Sequence, residues 1–364
     1  MRVCWRRINA ANNSLAALHA ACKLQGYDLE VTEGPQRDVT CYSLNSVNEP
    51  SYRKEIERAD CITIVGGPHA SACWREVAAY ADYVVVGEGE RVLPALLSSI
   101  EAGSEELPRG VATSRGFVPA EFCTRLDAYP PFTRMKGFIE ISRGCPHLCA
   151  FCQTPRLFGP SMRHRSIERI AEYAKRYRDV RFVSPNALAY GSDGRSARLE
   201  KVEVLLKALK GNIYFGTFPS EVRPEFVTDK ALELISAHCM NEKLHFGAQS
   251  GSDRVLGAMQ RGHSTREVID AVECCHEHGF TPVVDFIVGL PMETEQDQLD
   301  TLRLIRWVVR FGKVHIHLFH PIPGTPLAGH IPIRLHAELP RTFGRLALQG
   351  RLTGSWLAPS VKVF

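Results

Sequence analysis

Three cysteines fall within eight residues of the stretch Gly144 to Phe158, GCPHLCAFCQTPRLF, with three and then two positions between them. Thiolates so close on one loop can face a single iron–sulfur cubane. Three protein ligands for four irons leave one iron open to something other than protein. Gly144 and Pro146 bend the backbone around such a cluster, and Phe151, just before the last cysteine, can shield one face from water. The alternatives are a zinc knuckle or three buried thiols. A closed structural zinc site wants four ligands, usually from two CxxC-like pairs, and no second pair occurs in the chain.

A run of alternating strands and helices has to position that loop. From Gly137 onward the pattern predicts strands at 138–142, near 180–184, 212–217, 244–248, 281–288 and 313–319, alternating with five or six helices. The helix over 265–278 is the best marked, since Ser264 and Glu267 form a possible capping box and Gly279 ends it. The cysteine loop follows the first strand, so it sits at the C-terminal mouth of a parallel barrel, where such barrels place their chemistry. Six units rather than eight predict an open, partial (β/α)6 barrel of the TIM type.

Several strand ends there carry polar residues. Asp285 lies inside the apolar strand VVDFIVGLP, where an unpaired carboxylate is costly, so it is either a ligand or half of a salt bridge. His317 and His320 in HIHLFHPIPG could act as acid or base or hydrogen-bond a loop. Arg156, Arg163, His164 and Arg165 form a basic segment after the cysteines that could hold an anion or lie in a solvated loop. Cys274 and Cys275 fall in a helix and need no function.

The N-terminal hundred residues also alternate. Strands are predicted at 2–8, 27–31, 38–44, 61–65 and 83–86, with helices at 14–25, 49–59 and 74–80; Ser14 is read as the first helix's N-cap and Gly26 as its stop. This is a parallel, doubly wound, flavodoxin-like Rossmann sheet, whose ligands bind beyond the carboxyl ends of the strands. Two glycine turns lie on that edge, Gly66-Gly67-Pro68-His69-Ala70 and Gly87-Glu88-Gly89-Glu90. Beside such a turn His69 is either a metal ligand or a hydrogen-bonding group. Residues 109–120 read as a hairpin and 121–136, with Pro130-Pro131, as an extended linker. The domains are then 1–108, a hairpin and linker at 109–136, the barrel at 137–325, and a small helical extension at 326–364 with its helix near 335–349.

With 364 residues the chain has ample core for two or three domains, and 45% hydrophobic with 23% charged residues is ordinary globular composition. A net charge of +4, 44 basic against 40 acidic residues, creates no field that would demand nucleic acid or a lipid surface. No stretch approaches the roughly 20 apolar residues of a membrane span. Twelve cysteines without a regular framework fit a reducing compartment, and the expectation is a cytoplasmic protein.

At Cys145, Cys149 and Cys152, with Phe151 in the aromatic position, the chain resembles the radical S-adenosylmethionine (SAM) enzymes and their CxxxCxxC motif. The resemblance implies a 4Fe-4S cluster whose open iron chelates SAM, reductive cleavage of SAM to a 5'-deoxyadenosyl radical, and an electron donor of flavodoxin or ferredoxin type. GAQSGSDRVLGAMQRGHS, from Gly247 to Ser264, is similar to the family's fourth-strand segment. It implies SAM contacts by Gln249 and Arg261, with Ser250 a neighbouring candidate, and by Asp285 at the ribose. Ser220 or Glu221 is a further candidate at the third strand exit. Many relatives carry Gly-Gly-Glu at the second strand end, whereas this chain has Ser184-Pro185-Asn186, so Asn186 is the possible substitute.

VGGPHASA followed by DYVVVGEGE resembles the cobalamin-binding domain of one large radical SAM subfamily. The resemblance implies a corrinoid site lined by Gly66, Gly67, His69, Ala70, Gly87, Glu88, Gly89 and Glu90, with Asn9, Ser14 and Ser43 at other strand ends. The DxHxxG motif of many cobalamin proteins does not occur. Cys4, Cys41 and Cys73 resemble instead the three auxiliary-cluster cysteines of methylthiotransferases, although here Cys73 follows the glycine turn rather than lying in it. The final residues do not offer the RNA-binding small barrel of that family. The expectation is a cobalamin-dependent radical SAM enzyme methylating an unactivated carbon of a small-molecule or peptide substrate, with nucleic acid not expected. A methylthiotransferase with a second cluster, or a cobalamin-dependent cyclase or rearrangement enzyme, is the alternative. A non-catalytic carrier would have no use for the residues of a SAM pocket.

Overall fold

The computed structural model describes residues 1–120 and 124–357. It divides into two compact units, Met1–Glu140 with Gln153–Gly159, and Ile141–Cys152 with the residues from Pro160 onward.

In the N-terminal unit seven strands form one sheet: β1 (Val3–Arg6), β2 (Leu29–Thr32), β3 (Val39–Ser43), β4 (Ile62–Gly66), β5 (Tyr83–Val85), β6 (Val111–Thr113) and β7 (Gly116–Phe117). Their order is β2-β1-β3-β4-β5-β6-β7. The first five are parallel and the β6–β7 hairpin is antiparallel, as the Gly/Pro-bounded 109–120 pattern predicts. Order 2-1-3-4-5 reverses direction between β1 and β3, which opens a crevice at the strand ends. All five residues of β3 are buried, as a strand covered on both faces should be.

The first helix departs from expectation at its start. It spans Asn12–Leu24, entered through a 3-10 turn at Asn9–Ala11, and has no side-chain cap. Ser14 is therefore not the N-cap; it lies within the first turn. Gly26 ends the helix in the left-handed region, at φ 87°, as expected. Residues 121–123 of the proposed linker lie outside the described residues. The rest of it is fastened to the N-terminal unit rather than free, with Leu126 and Phe132 buried. The Thr133 hydroxyl donates to His19 Nδ1 at 2.5 Å, while His19 Nε2 donates to Asp28 Oδ1 at 2.8 Å and Arg134 pairs with Asp28 at 3.0 Å.

The barrel unit follows the predicted order closely. The predicted first strand is broken: β8 (Ile139–Glu140) ends the first stretch of the N-terminal unit, β9 (Ser142–Arg143) opens the second unit, and β10 (Arg163–His164) pairs antiparallel with β9. Then come β11 (Asp179–Val183), β12 (Asn212–Tyr214), β13 (Lys243–Gln249), β14 (Thr281–Val288) and β15 (Lys313–Leu318), all parallel to their neighbours. A parallel bridge from Val222 to Phe246 links the β12 side to β13. Ser264 and Glu267 do form a capping box, on the helix Thr265–Glu277, and Thr294 and Asp297 form a second on Glu295–Val308.

The C-terminal extension differs from expectation. After the helix Glu338–Leu348, close to the predicted 335–349, the chain adds β16 (Leu352–Ser355), parallel to β15. This segment is a seventh strand on the open edge of the sheet, not merely a helical extension; residues 358–364 lie outside the described residues. Along β13, Leu244, Phe246 and Ala248 are buried under the helices, and His245, Gly247 and Gln249 alternate onto the inner face.

Candidate functional site

The cysteine loop leaves β9 through Gly144, which turns at φ 87°. Ala150 N–H donates to Met259 O at 2.9 Å, tying the loop to the end of the helix Asp253–Ala258, and Cys152 N–H donates to Cys149 O at 3.1 Å. His147 Nε2 donates to Gly194 O at 3.1 Å from the other side. Cys149 is buried and Cys145 and Cys152 are half-buried. Burial pushes the Cys145 thiol up, and the neighbouring thiols add to this, with Arg223 opposing.

Arg261 sits beside this loop, buried. Its Nη1 donates to Cys149 Sγ at 3.7 Å and its Nη2 to Gly247 O at 3.0 Å, while Nε has no partner. Burial lowers its pKa, which marks an uncomfortable charge. Behind it Arg223 donates through Nη2 to Arg261 O at 2.5 Å and pairs with Glu225. His263 donates from Nε2 to Ala248 O at 3.2 Å and leaves Nδ1 3.6 Å from Glu225. Burial, with Arg261 and Arg223 nearby, drops its pKa to about 3. The arrangement is a cationic shelf under the thiols. Arg223, Glu225, His263 and His147 were not singled out from the sequence as parts of the site; Arg223 stands next to a flagged strand exit, but its partner is 38 positions away, a distance no local spacing reveals.

Opposite Arg261 lie two carboxyl groups. Burial, followed by repulsion from Glu221, raises Asp285 to about 8; burial likewise raises Glu221, with Arg261 opposing both. Ala187 N–H holds Glu221 O at 3.0 Å, which brings the β11 exit beside the β12 exit. At that exit Asn186 is 5% exposed, and neither its Nδ2 nor its Oδ1 has a partner. A buried amide with both ends unmet is a place for a polar ligand. Gln249 adopts φ 71° at the bulge between Gly247 and Gln249, a backbone state that side chains rarely take. A Cβ on Gly247 would lie 2.0 Å from Gln249 Nε2 and 3.2 Å from Arg261 Nη2, so glycine leaves them room.

Two of the expected SAM contacts are spent within the fold. Ser220 Oγ is 2.6 Å from Ser184 Oγ, and Ser250 Oγ accepts from Ser252 N–H at 3.2 Å and meets Thr301. Between Ser220 and Glu221, then, Glu221 is the one whose charge faces Asp285 and Arg261. Phe151 is half-buried against the cluster of Ala150, Leu256 and Met259. His317 Nδ1 is engaged with Ser355 at 2.9 Å, and His320 is exposed. The basic segment is not one solvated loop: Arg163 and His164 form β10, and Arg165 is 3% exposed.

In the N-terminal unit the glycine turns are built as one edge. Gly67 takes φ 97°, and a Cβ there would lie 2.6 Å from Leu44 O. Ser71 staples the two turns, its hydroxyl donating to Gly67 O and accepting from Gly87 N–H, both at 2.9 Å. His69 Nδ1 lies 3.2 Å from Ser46 Oγ, as a hydrogen-bonding histidine does. Ser43 pairs with Gly66 in register; Ala70, Glu88 and Glu90 are buried, and Gly89 packs against Leu18. Asn9 is exposed and Ser14 half-buried, outside the turns. Gln153 Nε2 donates to Pro68 O at 3.4 Å.

Cys4, Cys41 and Cys73 do not share a face. The β1–β3 register sets Cys4 opposite Thr40 and Trp5 opposite Cys41, so the Cys4 and Cys41 side chains leave opposite sides of the sheet. Both are buried at strand centres, and Cys73 follows the helix Pro68–Ala72.

The family profile of the radical SAM superfamily matches residues 139–305. Among curated proteins, the chain is 27% identical over 345 residues to the tRNA-2-methylthio-N(6)-dimethylallyladenosine synthase of Anaplasma phagocytophilum, covering 86% of this chain and 72% of that one. It is 30% identical over 332 residues to the synthase of the same name from Bordetella petrii, covering 82% and 66%. Among solved structures it is similar to the radical SAM methyltransferase TsrM from Kitasatospora setae with cobalamin and a [4Fe-4S] cluster bound, with TM-score 0.68, 17% identity, and 90% and 77% of the two chains covered. It is also similar to the cobalamin-dependent SAM radical enzyme OxsB with aqua-cobalamin and SAM bound, with TM-score 0.66, 15% identity, and 84% and 51% covered. At these identities the structural likeness establishes the fold, a Rossmann-type sheet joined to a partial barrel. Residues 139–305, which carry the three-cysteine loop at their strand ends, are the part of this chain similar to the radical SAM superfamily.

Proposed function

We propose that the chain is a cobalamin-dependent radical SAM enzyme that methylates an unactivated carbon. The observation that carries the corrinoid half is the glycine-turn edge, where Gly67 and Gly87, stapled by Ser71, follow β4 and β5 on the same edge as the end of β3, the strand at which the order reverses. Backbone exposed in this way at a switch point accommodates a broad, flat ligand. The structural relatives with cobalamin bound share both the sheet and the barrel. The residues of the barrel mouth fit cluster and SAM as well: three thiols on one loop, an unpartnered Asn186 amide, an unpartnered Arg261 Nε, and the Gly247 notch.

When bound, SAM at the open iron supplies a hydrogen-abstracting radical after one-electron reduction from a flavodoxin- or ferredoxin-type donor, and the corrinoid supplies the methyl group. Cys145, Cys149 and Cys152 hold the cluster, and Arg261 lowers the cost of their negative charge through Cys149 Sγ. Asn186 and Gln249 offer hydrogen bonds to the amino-acid end of SAM. Asp285 and Glu221 take up the ribose hydroxyls, a task suited to a carboxyl pair that shares a proton near neutral pH.

A second reading is favoured by the curated relatives, which are methylthiotransferases by name and align over both units. It requires a second cluster in the N-terminal unit, and the opposite-facing Cys4 and Cys41 argue against one there. It would also bring tRNA in as substrate.

Iron, sulfide and corrin absorption measured after anaerobic purification from cobalamin-fed cells separate the two. The expected result is about four irons and one corrinoid per chain; about eight irons without corrinoid would overturn the proposal in favour of sulfur insertion. Cys149→Ser is expected to abolish 5'-deoxyadenosine formation, and undiminished SAM cleavage would reject the cluster assignment.

A further inference from the structure

On the outside of the barrel three side chains from two helices converge. Asp229 is the first residue of the helix Asp229–His238, whose N-cap Thr228 accepts from Ala231 N–H. Cys274 and His278 are four residues apart at the end of Thr265–Glu277, so they share one helix face. Cys275 points the other way, into the core. Cys274 Sγ lies 3.5 Å from Asp229 Oδ1 and 4.0 Å from His278 Nδ1, and His278 Nε2 lies 3.8 Å from Asp229 Oδ1. One ligand atom from each residue falls within 4.8 Å of the other two. Tetrahedral zinc, with bonds of about 2.0 to 2.3 Å, separates its ligand atoms by about 3.3 to 3.8 Å, which the Asp229–Cys274 and Asp229–His278 Nε2 distances already meet; ligation through Nε2 then needs Cys274 Sγ to turn from its contact with Nδ1 toward that nitrogen.

The histidine is already prepared for such a role. Its Nδ1 donates to Cys274 O at 3.0 Å, which fixes the tautomer and leaves the Nε2 lone pair on the side of Asp229. A backbone carbonyl holding one ring nitrogen while the other ligates is the usual arrangement at metal sites. None of the three groups serves the barrel core, and Asp229 is largely exposed, so it can rotate without cost to packing.

We propose that Asp229, Cys274 and His278 form a zinc site that clips the two helices together, with water as fourth ligand. Thiolate, imidazole and carboxylate together suit Zn²⁺ over the hard cations, and Zn²⁺ binds such a set more tightly than Fe²⁺ does. Binding displaces the Cys274 proton to solvent; without metal that thiol is held up at about 12, by burial first and then by Asp229. The site stands apart from the radical SAM chemistry and does not depend on the function proposed above.

The test uses the full chain with its cluster reconstituted anaerobically, so that Cys145, Cys149 and Cys152 are occupied, dialysed against buffered Zn²⁺. Wild type is expected to retain one zinc that Cys274→Ser and His278→Gln lose with iron unchanged. Zn²⁺ should also slow alkylation of Cys274, followed by peptide mass, by about tenfold or more. That second measurement needs only wild type and stands if a variant fails to fold. Equal zinc in wild type and a folded Cys274→Ser, or a Cys274 alkylation rate indifferent to Zn²⁺, would overturn the proposal.

Discussion

Asp285 and Gly247 face each other across the β13–β14 pairing, and each limits what the other end of the mouth can hold. With its pKa near 8 against an ordinary 3.8, Asp285 keeps a proton in the folded chain that the unfolded chain has already lost. The unfolded state is then favoured progressively as pH rises from about 4 to 8. Asp285→Asn removes that penalty, so the ligand-free variant should unfold at higher temperature than wild type at pH 8, yet bind SAM about tenfold or more weakly, because an amide NH2 replaces a carboxyl oxygen that can accept from the ribose hydroxyls. Parallel losses of stability and affinity would mean that Asp285 is a structural salt-bridge partner. Gly247→Ala should act differently. The new methyl meets the far end of Gln249, which can swing away, so the fold survives while SAM affinity falls. Calorimetric titration against an unchanged thermal midpoint checks this.

Among the elements, most helices and strands with local signals are where the sequence puts them, the start of the first helix at Ser14 excepted. Ser264 and Glu267 announce the helix Thr265–Glu277 because both partners of a capping box lie within four residues. The strand β16 carries no such announcement: Leu352-Thr-Gly-Ser is short, polar and mostly exposed, and only its register against β15 makes it a strand. The cysteine loop, the glycine turns and Asp285 are legible for the first reason. Arg223 and the His19–Thr133 fastening, whose partners lie far along the chain, are hidden for the second. Gly67 tests how far the turn is dictated by backbone. A Cβ there meets the Leu44 carbonyl and amide, neither of which can yield as a side chain end would, and φ 97° adds strain. Gly67→Ala should cost about 1 to 3 kcal/mol of stability in the N-terminal unit and abolish corrinoid retention, with cluster iron intact. Corrinoid retained at wild-type level would move the ligand elsewhere.

At the scale of the molecule, titratable groups of two kinds oppose one another. Among the described residues, His19, His147, His164, His245, His263, His315 and His317 all have pKa values lowered chiefly by burial, His245 to about 4 and His263 to about 3 from an ordinary 6.5. Each binds a proton more readily unfolded, so stability falls as pH drops below 6.5 and goes on falling toward the folded values. Glu221, Asp285 and Glu293 are shifted upward, Glu293 to about 7 and Asp285 to about 8, and each draws stability down as pH rises from about 4 into that range. Seven bases outweigh three acids on the acid side, but above about pH 7.5 the histidines are neutral in both states and only the acids still act. The ligand-free chain should therefore be most stable between about pH 6.5 and 7, with a steep acid limb and a shallow decline toward pH 8. Thermal midpoints across that range check the shape, and His245→Gln assigns the limb. Losing a histidine held down at about 4 should make the acid limb shallower and leave the decline toward pH 8 untouched. An unchanged acid limb in His245→Gln would mean that the inner face of the barrel is wet enough to protonate His245 in place, and that the lumen beside Asp285 is open to solvent before substrate arrives.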